Sequence, residues 1–194
     1  GRRVEHARRR RHAVAGAEFG AVRMPGVQAI RRAGESTVDD FLGEMTGQLD
    51  YIQNASARRY GSPQEMSLRA PFVDAATSID PTNPNIFASY YPYGAVIALA
   101  LDLTLRERFE GVTLDHYMRQ MWRTHGLGET TYTPDDLRTG LAVVTGDAAF
   151  ADGFFAATVD GSDLPDFAPL LTRAGIIVRP KDPAKAFVGA SRLQ

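Results

Sequence analysis

The stretch Gly94-Ala-Val-Ile-Ala-Leu-Ala-Leu-Asp-Leu-Thr-Leu105 constrains this chain more than any other segment. Read as a helix from near Tyr93 to about Phe109, it carries apolar residues around nearly its whole circumference, the pattern of a helix buried amid other elements. It falls short of the roughly 18 to 20 apolar residues that a membrane span requires, and Asp102 interrupts it. Gly94, Ala95, Ala98 and Ala100 permit close approach by neighbours. Asp102 needs a partner in such surroundings, and Arg106, one helical turn on, is placed to form a structural ion pair with it.

A buried helix needs enough chain to cover it. The sequence has 194 residues, 44% hydrophobic and 23% charged, ordinary values for one globular domain or large subdomain. Cysteine is absent, which excludes disulfides, thiolate metal sites and cysteine nucleophiles. The net charge of −1 predicts no general attraction to nucleic acid or to anionic membranes. The arginine-crowded end, residues 1 to 12, has no interleaved aromatics for stacking bases and no apolar signal core, so it reads as a solvated end and nucleic-acid binding is not expected.

The other segments read as helices and connectors around that core. Ser36-Thr37-Val38-Asp39-Asp40 opens a helix to about Ala57, with Val38, Phe41, Leu42, Met45, Leu49 and Ile52 on one face. From Tyr60 to Asn85 the periodicity dissolves among Pro63, Pro71, Pro81 and Pro84, predicting a long loop; Ser67 to Asn85 either lines a cleft or is a packed connector. A helix beginning at Thr113-Leu114 runs toward His125 with Leu114, Tyr117, Met118, Met121 and Trp122 directed to the core. Thr133-Pro134-Asp135-Asp136 starts another, ending at Gly146, and shorter helices follow near Ala148–Val159 and Asp166–Arg173. Ala174 to Pro180 reads as a short strand, and the whole as one irregular, mainly α bundle.

Residue chemistry alone offers few candidates. His6, His12, His116 and His125 lack the i, i+4 spacing of a zinc helix and read as structural or solvated. Nucleophile elbows and glycine-rich phosphate loops are absent. Asp39-Asp40 and Asp135-Asp136 are explained as helix-start acids. What remains is Ser89-Tyr90-Tyr91-Pro92-Tyr93-Gly94, where a phenol could either donate a hydrogen bond to an oxyanion or simply bury its ring.

Taken together, Ser89-Tyr-Tyr-Pro-Tyr-Gly-Ala-Val-Ile-Ala-Leu-Ala-Leu-Asp-Leu-Thr-Leu-Arg106, Leu114-Asp-His-Tyr-Met-Arg-Gln-Met-Trp122, Tyr132-Thr-Pro-Asp-Asp-Leu137, Gly153-Phe-Phe155, Gly161-Ser-Asp-Leu-Pro165 and Leu171-Thr-Arg-Ala-Gly-Ile176 resemble, in order and spacing, segments of the glycyl aminopeptidase family. These are zinc metallopeptidases often followed by a PDZ domain. The resemblance covers about Thr37 to Ile177. It implies a helical subdomain over residues 35 to 178, resembling the C-terminal subdomain of a thermolysin-like metallopeptidase. Residues 1 to 34 match poorly, and residues 179 to 194 resemble a linker toward a PDZ domain.

The implied activity is release of small N-terminal residues such as glycine from peptide substrates. The family's zinc is held by an HExxH helix and a downstream glutamate, and this sequence contains no HExxH. Glu18 lies roughly where the third ligand would precede Ala33-Gly34, but the order of residues around it differs, and no metal ligand is assigned. Related aminopeptidases use a Tyr-x-Lys-Gly segment whose phenol stabilises the tetrahedral intermediate. Tyr91-Pro-Tyr-Gly94 matches it with Tyr93 in the lysine position, making Tyr91 the implied catalytic residue and Tyr90 the alternative at a register one lower. The resemblance therefore implies the C-terminal part of a zinc enzyme, inactive without the half that carries the metal. The competing expectation is a non-catalytic helical interaction module.

Overall fold

The computed structural model describes residues 31–69, 72, 83 and 86–179. The arginine-rich end, Glu18, most of the proline-rich segment and residues 180–194 lie outside the described residues. Within them the chain forms seven α-helices: α1 Val38–Asn54, α2 Pro63–Leu68, α3 Tyr90–Arg108, α4 Leu114–Met121, α5 Pro134–Thr145, α6 Ala148–Thr158 and α7 Phe167–Arg173. The mainly α reading holds.

Helix α3 is the axis of the bundle. It packs against α1, α2, α4 and α7, while α5 pairs with α6 and also touches α4. Val96, Ala100 and Leu105 are at most 1% exposed, which requires neighbours on several sides. Asp102 is buried too, and its two oxygens are both used. Oδ2 accepts from Arg106 Nε at 2.9 Å, and Oδ1 accepts from the Leu114 backbone N–H at 2.9 Å. The expected i, i+4 pair is present, and the second bond ties α3 to the first residue of α4. That N–H is one of the free donors at a helix start, so the bond satisfies both groups.

The helix starts follow the signals in the sequence. Thr37 and Asp40 form a reciprocal capping box on α1, as do Thr133 and Asp136 on α5. Hydrogen bonding to the threonines pulls the carboxyl groups of Asp40 and Asp136 below their ordinary values. Asp147 caps α6 by accepting from the Phe150 N–H at 2.8 Å, and Asp166 caps α7 through the Ala168 N–H at 3.0 Å. Each box satisfies donors that a helix start leaves open.

Four expectations change. The segment after Tyr60 is not all loop: Ser62 and Glu65 form a capping box and Pro63 occupies the first turn of α2, where a missing N–H costs nothing. Helix α1 ends at Asn54, and a 3-10 helix, Ser56–Tyr60, carries the chain onward. Helix α3 begins at Tyr90 rather than near Tyr93, because Pro92 falls in the first turn and its ring is compatible with the helix there. The strand expected from Ala174 does not form over 174–179, where Ile177 and Val178 are 69% and 51% exposed. No strand among the described residues is available to pair with it.

The expectation for Trp122 also changes. Helix α4 buries Leu114, Tyr117 and Met121, but Trp122, at the edge of that stripe, is 61% exposed. It opens a π-helical turn, Trp122–Gly126, in which the Leu127 N–H donates to the Trp122 carbonyl at 2.9 Å. Beyond it, α5 lies close on α4 through Gly140, where a Cβ would stand 2.6 Å from Met121 Sδ.

Asp102→Ala should lower stability by about 1–3 kcal/mol, because the Leu114 N–H is left unsatisfied in the interior. Asp102→Asn, which keeps an acceptor for that N–H, should cost less. Urea unfolding of the three proteins checks this ordering, and equal midpoints for wild type and Asp102→Ala would remove the bond from the structural account.

Candidate functional site

One face of α3 repeats Tyr90, Gly94, Ile97, Ala98 and Leu101, positions that recur at helical spacing. These residues form one wall of a cavity of about 870 Å³. Tyr117 and Met118 of α4 face it, Phe154 and Phe155 of α6 and Ser67 of α2 close its sides, and the π-turn forms its mouth. It is lined overwhelmingly by apolar and aromatic groups, as ligand cavities commonly are.

Early helix entry at Tyr90 decides how the tyrosines are arranged. All three lie in the first turn of α3 rather than in the preceding loop. Tyr90 lies on the cavity wall and is 6% exposed. Tyr91 is half-buried, packs on the core, and its ring sits 4.8 Å from that of Tyr90 at 39°. Phe87 meets Tyr90 edge-on at 6.4 Å. The two phenols of the sequence motif are thus adjacent, with Tyr90 on the cavity side.

Tyr93 occupies a different setting. It is fully buried, and its hydroxyl has no hydrogen-bond partner among the described residues. Burial raises its pKa, and the Arg58 guanidinium beside it opposes the rise without reversing it. No hydrogen bond of full geometry joins the two, since Arg58 Nε is likewise buried and unpartnered. The other end of Arg58 is fixed, with Nη2 donating to the Ser162 carbonyl at 2.7 Å. Sequence reasoning missed Arg58, because nothing in Ser56-Ala-Arg-Arg-Tyr60 separates it from the exposed Arg59 beside it.

The histidines have local roles. His116 Nδ1 accepts from the Thr113 N–H at 3.2 Å, taking the place of a glutamate in a capping box. His125 lines the cavity mouth, with Nδ1 2.8 Å from Thr124 Oγ1, Nε2 3.9 Å from Asp136 and its ring edge-on to Tyr132. Among the described residues no group of three or more histidine, cysteine, aspartate or glutamate side chains is placed to hold a metal ion. Also among them, no helix is long and apolar enough to cross a membrane.

At the mouth, Trp122 lies across the backbone of Gly126, where a Cβ would come within 2.3 Å of the indole. Glycine at 126 is what lets the ring lie there. Compared with family models, curated proteins and solved structures, the chain matches none.

Tyr117 sets a pH limit on this region. Its hydroxyl donates to the Leu137 carbonyl at 3.0 Å, and burial drives its pKa well above the ordinary value of 10.0. A raised pKa means that the folded state favours the neutral phenol. The contribution to stability is complete below the ordinary tyrosine range and is lost as pH rises above it. Tyr117→Phe should therefore flatten the loss of stability above pH ~10, at a cost of about 1 kcal/mol near neutrality. The slope is reduced rather than abolished, because Tyr93 is raised in the same direction. Urea midpoints across the alkaline range measure it, and unchanged slopes would contradict this account.

Proposed function

We propose that this chain is the C-terminal helical part of a zinc-dependent aminopeptidase that releases small N-terminal residues such as glycine from peptides. It forms the wall of an active site whose metal is held outside the described residues. The observation that carries the reading is the pair Tyr90 and Tyr91, seated in the first turn of a buried helix at the edge of a large cavity. The ordered set of segments resembling glycyl aminopeptidases supports it, and the mainly α fold is consistent with the helical subdomain that this resemblance implies.

In this reading, zinc in the complete enzyme supplies the activated water. The part played by this chain is electrostatic. A phenol held by ring packing donates its O–H to the oxygen that gains charge in the tetrahedral intermediate, and a fixed donor needs no reorganisation at that moment. Tyr91 is the donor that the resemblance assigns, and Tyr90 is the one on the cavity side. Tyr93, in the position of the family's lysine, carries no charge, and the nearby cation is Arg58.

The competing reading is a non-catalytic helical interaction module. The exposure of Trp122 and Leu127, at 61% and 69%, beside an apolar cavity favours it.

The longest natural polypeptide containing this chain should carry an in-frame HExxH segment upstream. Turnover of a glycyl anilide by that polypeptide should fall about 10²- to 10³-fold in Tyr91→Phe or in Tyr90→Phe, whichever phenol is the donor, with KM little changed. Full turnover in both variants would remove the tyrosines from catalysis, and an encoded protein without HExxH would leave the interaction reading standing.

A further inference from the structure

We infer that the cavity between α2, α3, α4 and α6 binds an uncharged, mostly apolar small molecule carrying one carboxamide group, which the side chains of Gln64 and Ser67 hold. Neither the peptidase reading nor the interaction reading calls for such a ligand.

The polar part is set by α2. Gln64 and Ser67 lie three residues apart on that helix, so they share a face, and both line the cavity. Neither side chain has a hydrogen-bond partner among the described residues. Ser67 is only 2% exposed, a setting in which an unmatched hydroxyl is costly. Tyr117, also on the lining, has its hydroxyl committed to the Leu137 carbonyl. The Gln64 backbone N–H donates to the Val159 carbonyl at 3.4 Å, which sets α2 against the end of α6, where Val159 lines the cavity too. Together the two side chains offer N–H and O–H donors and two kinds of acceptor oxygen, but no charge. A carboxamide presents donors and an acceptor side by side. It can pair with the glutamine amide through two bonds and still reach the serine hydroxyl.

The rest of the lining dictates an apolar body and a neutral ligand. Ala98, Leu101, Met118 and Phe154 offer a flexible tail nothing but contact, and about 870 Å³ is within the range of cavities that enclose small molecules. The full charges on the lining cancel, Arg119 being matched by Glu129, and Asp136 stands 3.9 Å from His125 Nε2 to answer a proton there. A carboxylate or an ammonium drawn in to Gln64 and Ser67 would exchange water for a wall without a counter-charge. A carboxamide gives up only hydrogen bonds that those two side chains replace.

Trp122, the only tryptophan in the sequence, is a lining residue and 61% exposed, so a tail entering beside it replaces water against the indole. The test is a titration of the 194-residue chain with hexanamide, heptanamide and octanamide, followed by Trp122 emission. A saturable blue shift of one-to-one stoichiometry is expected, tightening about fourfold with each added methylene. Octanoate and octylammonium should bind about tenfold more weakly than octanamide or worse, because neither meets a counter-charge. Nonan-2-one, which has the shape of octanamide without its N–H groups, should also be weaker by about tenfold, the scale of the hydrogen bonds it cannot make. Gln64→Leu and Ser67→Ala should each shrink the preference for octanamide over nonan-2-one while leaving the affinity for the ketone nearly unchanged, a pattern that a general loosening of the fold does not produce. Retention of the wild-type helical circular dichroism checks each variant, and either one that retains it decides the point. The proposal is overturned by an absence of saturation across the amides, by octanoate, octylammonium or nonan-2-one binding as tightly as octanamide, or by an unchanged preference for the amide in a folded variant.

Discussion

Asp102 is the interaction on which the arrangement depends. A carboxylate within a nearly all-apolar helix is costly unless each oxygen is matched, and here one meets Arg106 and the other meets the Leu114 N–H. The second bond joins the two helices that face each other across the cavity. The ion pair itself adds little, since the Arg106 side chain is 48% exposed and water screens it. The bond to Leu114 lies in the interior, where leaving either group unmatched is expensive. Asp102 thus fixes where α4 begins relative to α3, and with it the separation of the cavity walls.

From that fixed pair the candidate site follows. Small residues on α3 leave room that the side chains of α4 and α6 do not fill. The π-turn after Met121 then lays Trp122 over Gly126 at the opening. The tyrosines at the head of α3 belong to the same framework, because a helix that starts at Tyr90 turns that ring toward the cavity and packs Tyr91 beside it. A phenol held in this way suits stabilisation of developing negative charge. It cannot generate a nucleophile, which is why the proposed enzyme requires a metal from outside the described residues.

Much of the fold was legible in the residues because its signals are local. Thr37 and Thr133 mark helix starts through bonds spanning three residues, and the Asp102–Arg106 pair lies within one helical turn. The readings that changed depended on distant groups or on geometry that periodicity does not encode. The stripe of α4 includes Trp122 only if a neighbour covers it, and the segment from Ala174 needs a strand partner that the described residues do not offer. Helix α2 was hidden because Pro63 is one of several prolines among which periodicity dissolves, whereas it occupies the first helical turn, which tolerates proline.

The site was less legible than the fold. The sequence by itself singled out the tyrosine cluster and the buried helix, determined that no HExxH is present, and placed a carboxylate where it had to find a partner. Composition and spacing suffice for these, since they depend on residue identity and on contacts within a turn or two. Only the tertiary structure decided that Tyr90 rather than Tyr91 lines the cavity and that Arg58 comes beside Tyr93 across 35 positions of chain. Burial and long-range proximity set those outcomes, and both come into being when the helices pack.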